Sequence, residues 1–355
     1  MVSATIDTSA LRHNLNAVRK RAPGSRVMAV VKANAYGHGL VAVARALDAA
    51  DAFAVARVDE GLVLRRAGIV KPIVLLEGVF DSAQLAAAAA SDFELVVHAP
   101  EQIELLRADG AHAFKVWLKM DTGMNRLGLK EAQFAAAHAA LAALPGVRRP
   151  VNAFTHLASA DEPARDSTMR QLARFAAGTG FVAGERSIAN SAGLLNFPAA
   201  LADWVRPGLM LYGVSPMAGA TGADHGLKPV MTLRSRIIAV KCIDPGDQVG
   251  YGGAWTATRP TRLAVAAVGY GDGYPRGIRA GAPVLVNERR APLAGRVSMD
   301  MIGIDVTDVD PPVAAGDPVV LWGAGLAVEE VAANAGMIPY ELLCGISQRV
   351  AAEVR

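Results

Sequence analysis

Lys32 follows the apolar run Val27–Val31 and opens a short polar stretch, Lys32-Ala33-Asn34-Ala35-Tyr36-Gly37-His38-Gly39. A lysine at the mouth of a buried strand is partly desolvated, gives up its proton more readily than in water, and can then attack an aldehyde. Tyr36 stands four residues on, and Gly37 and Gly39 permit a tight turn with close backbone approach. The plainer reading is a lysine that snorkels from a strand end. Other apolar runs also stop at polar residues: Glu77, His98, Lys119, His156, Asn190 with Ser191, and Arg206. Every strand ends where polarity begins, but Lys and His directly after buried strands are costly unless solvated or paired. For His156 the plain alternative is a satisfied core histidine. For Arg206 it is a surface arginine ahead of the Pro207-Gly208 turn.

These residues need a frame that brings strand ends together. Eight short apolar runs occupy the first 210 residues or so: Val27–Val31, Phe53–Val55, Ile73–Leu76, Glu94–Val97, Phe114–Leu118, Val151–Thr155, Ser187–Ala189 and the weaker Trp204–Val205. Stretches with helical periodicity lie between them, such as Leu11, Leu15 and Val18 on one face. Strand–helix alternation predicts right-handed crossovers and a parallel sheet, and eight such units fit a closed (β/α)8 barrel. A barrel of that kind keeps its site at the C-terminal ends of its strands, where the polar residues stand. After about residue 225 the pattern changes. Thr232–Val240, Arg262–Val268, Val284–Val286, Leu293–Val297, Ile302–Val306 and Val319–Leu321 read as strands between Gly and Pro turns, and only Val328–Ala335 as a helix. The expected fold is α/β: a barrel over residues 1–225, then a mainly antiparallel β domain over 226–355, joined through Ala218–Lys228.

Composition narrows the class. The chain has 355 residues, 52% of them hydrophobic, 19% charged, with a net charge of +3. That supports a large core, and it is too balanced for a protein that works through nucleic-acid phosphates, despite a pI near 8.9. The mean hydropathy of +0.27 reflects alanine-rich stretches, since no run approaches the ~18 apolar residues that a membrane span requires. The N-terminal stretch shows no secretory pattern. Cys242 and Cys344 alone do not make a disulfide framework. The expectation is a cytoplasmic enzyme without a metal.

The stretch VKANAYGHG (Val31–Gly39) resembles the pyridoxal-phosphate lysine signature of alanine racemases. Eight further stretches are similar to that family's motifs, in order: WLKMDTGMNRLG (Trp117–Gly128), THLASAD (Thr155–Asp161), ANSAG (Ala189–Gly193), WVRPGLMLYG (Trp204–Gly213), VGYGGAW (Val249–Trp255), AVGYGDGYPR (Ala267–Arg276), GRVSMDMIGIDVT (Gly295–Thr307) and PYELLCGIS (Pro339–Ser347). The resemblance spans essentially the whole chain. It implies a barrel followed by a β domain, the cofactor pyridoxal 5'-phosphate, and interconversion of L-alanine and D-alanine.

The resemblance also assigns roles. Lys32 is similar to the lysine that holds the cofactor and acts as one base, and Tyr251 to the second base. Racemisation removes a proton from one face of Cα and delivers one to the other, so two bases on opposite faces suit it. A phenol is a poor base at neutral pH, and in the family a histidine, here His156, links the tyrosine to an arginine, here Arg206. That arginine faces the cofactor's ring nitrogen; because it does not give up its proton, the nitrogen stays unprotonated and side reactions are disfavoured. Ser191, Gly208 and Leu209 follow the seventh and eighth runs, where many barrels bind phosphate. Tyr36 and Tyr340 resemble the tyrosines that complete that shell, and Asn190 is an adjacent candidate. Arg126 resembles the arginine that contacts the cofactor's phenolic oxygen and holds substrate. Lys119 matches a position carbamylated in many members. Met299 and Asp300 resemble substrate-carboxylate and entrance residues, although Met299 also reads as core packing. Tyr270, Asp272 and Arg276 fit the entrance corridor.

The family assembles as a head-to-tail homodimer in which Tyr251, Tyr270, Met299 and Asp300 face the partner's barrel, and the same is expected here. Asn125 and Ser298 depart from common family residues without touching either base. Tyr340 and Tyr251 would crowd the pocket and favour a methyl side chain, leaving slow serine racemisation open. The D-alanine would serve peptidoglycan synthesis or be consumed in catabolism. The rival readings are a decarboxylase of the same fold, a broader racemase, and a non-catalytic cofactor-binding barrel. Arg206 and Tyr251 speak against the first, and the long β domain against the last.

Overall fold

The computed structural model describes residues 2–110 and 112–355. Eighteen strands are present among them. The first, β1 (Ser3–Ile6), stands apart from the eight that follow: β2 (Arg26–Val30), β3 (Ala52–Val55), β4 (Ile73–Leu75), β5 (Phe93–Val97), β6 (Phe114–Lys119), β7 (Val147–Phe154), β8 (Arg186–Ser187) and β9 (Trp204–Val205). Strands β2 to β9 pair in sequence, all parallel, and the β2–β9 pairing of Arg26 with Trp204 closes the barrel. Each of the eight expected runs overlaps one barrel strand. β3, β4 and β5 are buried along their whole length, as strands covered by side chains inside and helices outside must be.

The helices carry the signals that start and orient them. Thr8–Arg21 begins at Asp7, whose Oδ1 accepts the amides of Ser9 and Ala10 at 2.8 and 3.0 Å. It buries Leu11, Leu15 and Val18 and ends on Arg19, Lys20 and Arg21, a favourable charge for a helix C-terminus. No helix among the described residues is long and apolar enough to cross a membrane.

The second unit comprises β10 (Met231–Ile243), β11 (Gln248–Val249), β12 (Trp255–Thr256), β13 (Thr261–Ala266), β14 (Pro283–Val286), β15 (Arg289–Pro292), β16 (Ile302–Asp305), β17 (Pro318–Trp322) and β18 (Ala351–Val354). The main sheet runs β15-β14-β17-β10-β1-β18, with β13 bridging β10 and β16. All its pairings are antiparallel except β1 with β18. The long β10 serves two neighbourhoods. Its first half pairs with β1 and β17, its second with β13, and its β13 register shifts between Ile237 and Ala239.

Three local expectations give way. β1 belongs to the second sheet, so the unit expected over residues 1–225 does not hold at its start; β10 and β18 satisfy its backbone from both sides. Leu293–Val297 is not a strand. Pairing ends at Pro292, Leu293 makes one bridge to Ile304, and Gly295 at φ 88° turns the chain away. A second helix, Pro339–Cys344, joins Val328–Ala335, with Pro339 at its first turn.

Candidate active site

β2 delivers Lys32 to the C-terminal rim of the barrel. The four residues after it, Ala33, Asn34, Ala35 and Tyr36, all have φ between 52° and 54°. This is a turn of left-handed helix built from residues with a Cβ, which costs about 1–2 kcal/mol per residue. Such a conformation persists only where its surroundings over-determine it. Glu60 Oε1 accepts the Ala33 amide at 2.6 Å, Asn34 Oδ1 accepts the Leu40 amide at 2.9 Å, and His38 Nδ1 lies 3.0 and 2.8 Å from the carbonyl oxygens of Ala35 and Tyr36. Gly37, at φ 78°, passes so close to Leu343 that a Cβ would drive into its carbonyl oxygen. The turn is thereby wedged against the helix Pro339–Cys344 of the β domain.

Cations collect beside this turn. β6 ends on Lys119 and β9 is followed by Arg206, 6% and 3% exposed. Burial of Arg206 overturns the surface-arginine reading. Its Nη1 donates to Ser187 Oγ at 2.6 Å, and its Nη2 to the carbonyls of Thr155 at 2.6 Å and Ile188 at 3.1 Å. The guanidinium lies 3.9 Å from the Phe154 ring centroid, and Lys119 Nζ 5.6 Å from the same ring. Burial alone pulls Arg206 down to about 9, so it stays charged at neutral pH. Burial, then the charges of Arg206, Arg126 and Lys32, pull Lys119 down to about 8. Burial and the same cationic surroundings, Lys119 among them, hold His156 well below the usual histidine range. Arg206 Nη2 approaches His156 Nδ1 at 3.4 Å. An arginine only donates, so Nδ1 accepts and the hydrogen of the neutral ring sits on Nε2.

Asp121 opposes the shift of Lys119, but its carboxylate is already engaged by the amides of Gly123 and Asn125 and by Lys130 Nζ. Lys32, Lys119, Arg126 and Arg206 therefore form a cluster of positive charge that suits a ligand bringing its own anions. Among the described residues no three His, Cys, Asp or Glu side chains gather closely enough to hold a metal ion.

Ser191, Gly208 and Tyr36 form a second cluster. Ser191 Oγ accepts the amides of Gly208 and Met210 at 3.0 and 3.3 Å, which leaves its own hydrogen free to donate elsewhere. A Cβ on Gly208 would stand 2.6 Å from Tyr36 Oη, so only glycine leaves this space open. Leu209 begins the 3-10 turn Leu209–Tyr212 beside it. The Tyr36 ring packs between Tyr212 and Tyr340, with centroids 4.8 and 5.6 Å away. Burial raises Tyr36 strongly and pushes Tyr340 up to about 12, so both phenols remain donors. Asn190 is committed elsewhere: its Oδ1 caps Gly193 N at 2.9 Å and its Nδ2 donates to Leu157 O at 3.3 Å.

The β-domain residues are arranged differently. Tyr251 is 72% exposed and Met299 52%, which removes the core-packing reading of Met299; Tyr270 and Arg276 are exposed too. No hydrogen bond among the described residues joins Tyr251 to His156. Asp300 is paired with Arg349 at 2.7 Å. Asp272 is buried, accepts the Gly269 amide at 3.0 Å and lies 3.4 Å from the same arginine, so it stiffens the corridor turn and does not line an opening. Arg349, which ties the two acids together, lay outside every motif reading. So did Glu60; it reads as an ordinary acid in the first turn of the helix Val58–Arg66.

Comparison with known proteins identifies the family. Residues 6–216 match the family model "Alanine racemase, N-terminal domain", and residues 230–354 match "Alanine racemase, C-terminal domain". An alanine racemase of Thioalkalivibrio sulfidiphilus is 54% identical over 99% of this chain and 98% of its own length. One from Edwardsiella ictaluri is 51% identical, over 99% and 97%. The crystal structure of the biosynthetic alanine racemase from Pseudomonas aeruginosa superposes with a TM-score of 0.96 at 46% identity, covering 100% of this chain and 99% of that one. The alanine racemase structure from Acinetobacter baumannii gives 0.94 at 39% identity, with 100% and 99% covered. By fold and by sequence along its whole length, this chain belongs to the alanine racemase family.

Proposed function

We propose that the chain interconverts L-alanine and D-alanine with pyridoxal 5'-phosphate held at Lys32. The observation that carries this reading is the concentration of Lys32, Lys119, Arg126 and Arg206 beside a cradle of neutral donors. A phosphorylated cofactor and an amino-acid carboxylate would supply the missing negative charge. The residues fit the cofactor at both ends. Ser191, Tyr36, Tyr340 and the Gly208–Leu209 backbone would hold its phosphate, with Gly208 keeping the space open. Arg206, fixed by Ser187, Thr155, Ile188 and Phe154, would face its ring nitrogen as a donor that retains its proton.

When bound, the cofactor draws electrons from the substrate's Cα and weakens its C–H bond. The protein then has to move a proton on each face. Lys32 serves one face and Tyr251, supplied by a second copy, the other. Exposure of Tyr251, Tyr270 and Met299 on one chain supports a head-to-tail pair in which each β domain covers its partner's barrel mouth. His156 Nε2–H is the donor available to the incoming tyrosine oxygen, with Arg206 behind it. Arg126 and Met299 would hold the substrate carboxylate. The lowered proton affinity of Lys119 favours the neutral amine that reacts with carbon dioxide, and the resulting carbamate would place an anion among the cations.

The test is chiral analysis of L-alanine incubated with the protein and pyridoxal phosphate in D2O. D-alanine with deuterium at Cα supports the reading. Release of carbon dioxide without D-alanine would move the chain to the decarboxylases, and unchanged L-alanine would reject the substrate.

A further inference from the structure

The turn after Lys32 is held by two side chains that the reaction itself does not use. Glu60 lies on the helix that follows the neighbouring strand β3. Its Oε1 takes the Ala33 amide at 2.6 Å, and its Oε2 takes those of Ala56 at 2.8 Å and Arg57 at 3.3 Å. One carboxylate thus ties the first residue after Lys32 to the end of the adjacent barrel strand. His38 is 1% exposed, and both atoms near its Nδ1 are carbonyl oxygens, so Nδ1 carries the hydrogen. Among the described residues its buried Nε2 finds no partner, so the ring is anchored there through Nδ1. The two contacts grip opposite ends of the same four left-handed residues: an amide at Ala33, the carbonyls at Ala35 and Tyr36. Backbone bonds inside the turn, Gly37 N to Ala33 O at 3.1 Å and Gly39 N to Asn34 O at 3.0 Å, close it.

We propose that Glu60 and His38 are positioning residues for Lys32: by holding Ala33–Tyr36 in this strained turn, they fix where the Lys32 amine and the Tyr36 hydroxyl stand. The inference rests on the reading of Lys32 as the cofactor-holding residue. Relaxing the turn to right-handed backbone would move the Lys32 side chain relative to the cradle without removing any group that touches a ligand. The expected signature is a loss of kcat and of cofactor retention with KM for alanine nearly unchanged.

Two pairs of variants test it on the full chain. Glu60→Gln keeps the shape but must turn an NH2 toward one of the amides it now accepts. His38→Asn keeps a donor near the Nδ1 position, whereas His38→Phe keeps the ring and loses the donor. For E60Q and H38F we expect kcat lowered about tenfold to hundredfold, KM within about twofold, faster loss of pyridoxal phosphate on dialysis and a changed visible absorbance. H38N should stay near wild type. A pure packing role predicts the reverse order, with Phe mild and Asn damaging. Wild-type kcat and spectrum in E60Q and H38F, or equal damage in H38N and H38F, would overturn the inference. Should the variants fail to fold, amide exchange in the wild-type chain decides. Gly37 and Gly39 protected like the barrel strands support a locked turn, and loop-like exchange rejects it. If the wild-type chain forms no borohydride-reducible adduct at Lys32, the functional reading itself falls; if it does and the variants match it, only this inference falls.

Discussion

The barrel mouth and the outer face of the β domain hold their functional residues in opposite ways. In the mouth, Lys119 and Arg206 are buried against the same aromatic ring, Arg206 is braced by carbonyls, and its charge lowers the proton affinity of Lys119. On the β domain, Tyr251, Tyr270 and Met299 stand exposed, and the acids Asp272 and Asp300 are tied down by Arg349. The barrel residues meet within one chain, and the large β-domain side chains stand on its surface. Burial and mutual contact therefore identify only the first half, and exposure of large side chains is the mark of the second.

The strongest test of that contrast is to disable each half in turn. Lys32→Ala should lower racemisation by about 10^4-fold or more, with an unchanged far-UV spectrum. Tyr251→Phe should cost about 10^2–10^4-fold, again with an unchanged far-UV spectrum. Mixing the two inactive proteins then separates the models. If the halves meet across a dimer, subunit exchange should restore up to about a quarter of wild-type activity, since half the pairs are mixed and each has one intact site. Halves that meet within one chain would restore none.

Smaller effects concern stability. Burial holds His38 down to about 4 from the usual 6.5. Between those values the unfolded chain binds more protons than the folded one, so stability falls as pH is lowered through that window. The loss is about 3 kcal/mol at roughly 1.4 kcal/mol per unit. Urea melts at pH 7 and pH 4 should show that much less loss in His38→Asn than in wild type. Arg206→Lys would leave the Thr155 and Ile188 carbonyls short of a donor at a cost of about 1–3 kcal/mol, read by the same melts. Met299→Ala, on the exposed face, should change stability by less than about 0.5 kcal/mol. A larger loss, appearing only at protein concentrations that favour dimers, would show that its surface is covered there.

Much of this organisation was legible in the sequence. The barrel strands announced themselves because most of their residues are buried and seven of the eight runs stop at a polar residue, and the motif order carried the resemblance. What escaped had a common cause. Ala33, Ala35 and Tyr36 belong to types that seldom adopt left-handed backbone, and only Asn34 hinted at it, because the conformation is imposed by Glu60 and His38 from outside. β1 and β18 are four residues each and acquire strand geometry from partners far along the chain. The burial of Arg206 depends on Ser187 and on the adjacent pair Phe154 and Thr155, which come from two other places in the sequence.

The placement of β1 also bears on how the protein is made. Ser3 pairs with Arg234 on one side and Ala351 on the other, and the Thr8 amide reaches the Arg355 carbonyl at 2.8 Å. During synthesis the barrel strands can find their neighbours one after another as they leave the ribosome. β1 cannot; it emerges before them and must wait, unpaired, until β10 has been translated, and its second partner, β18, follows more than a hundred residues later. Such long-range closure is slow, and it makes the joining of the two domains a late, post-translational event. A chaperone that shields this segment, or a tag fused ahead of it, would act on that final step rather than on the barrel.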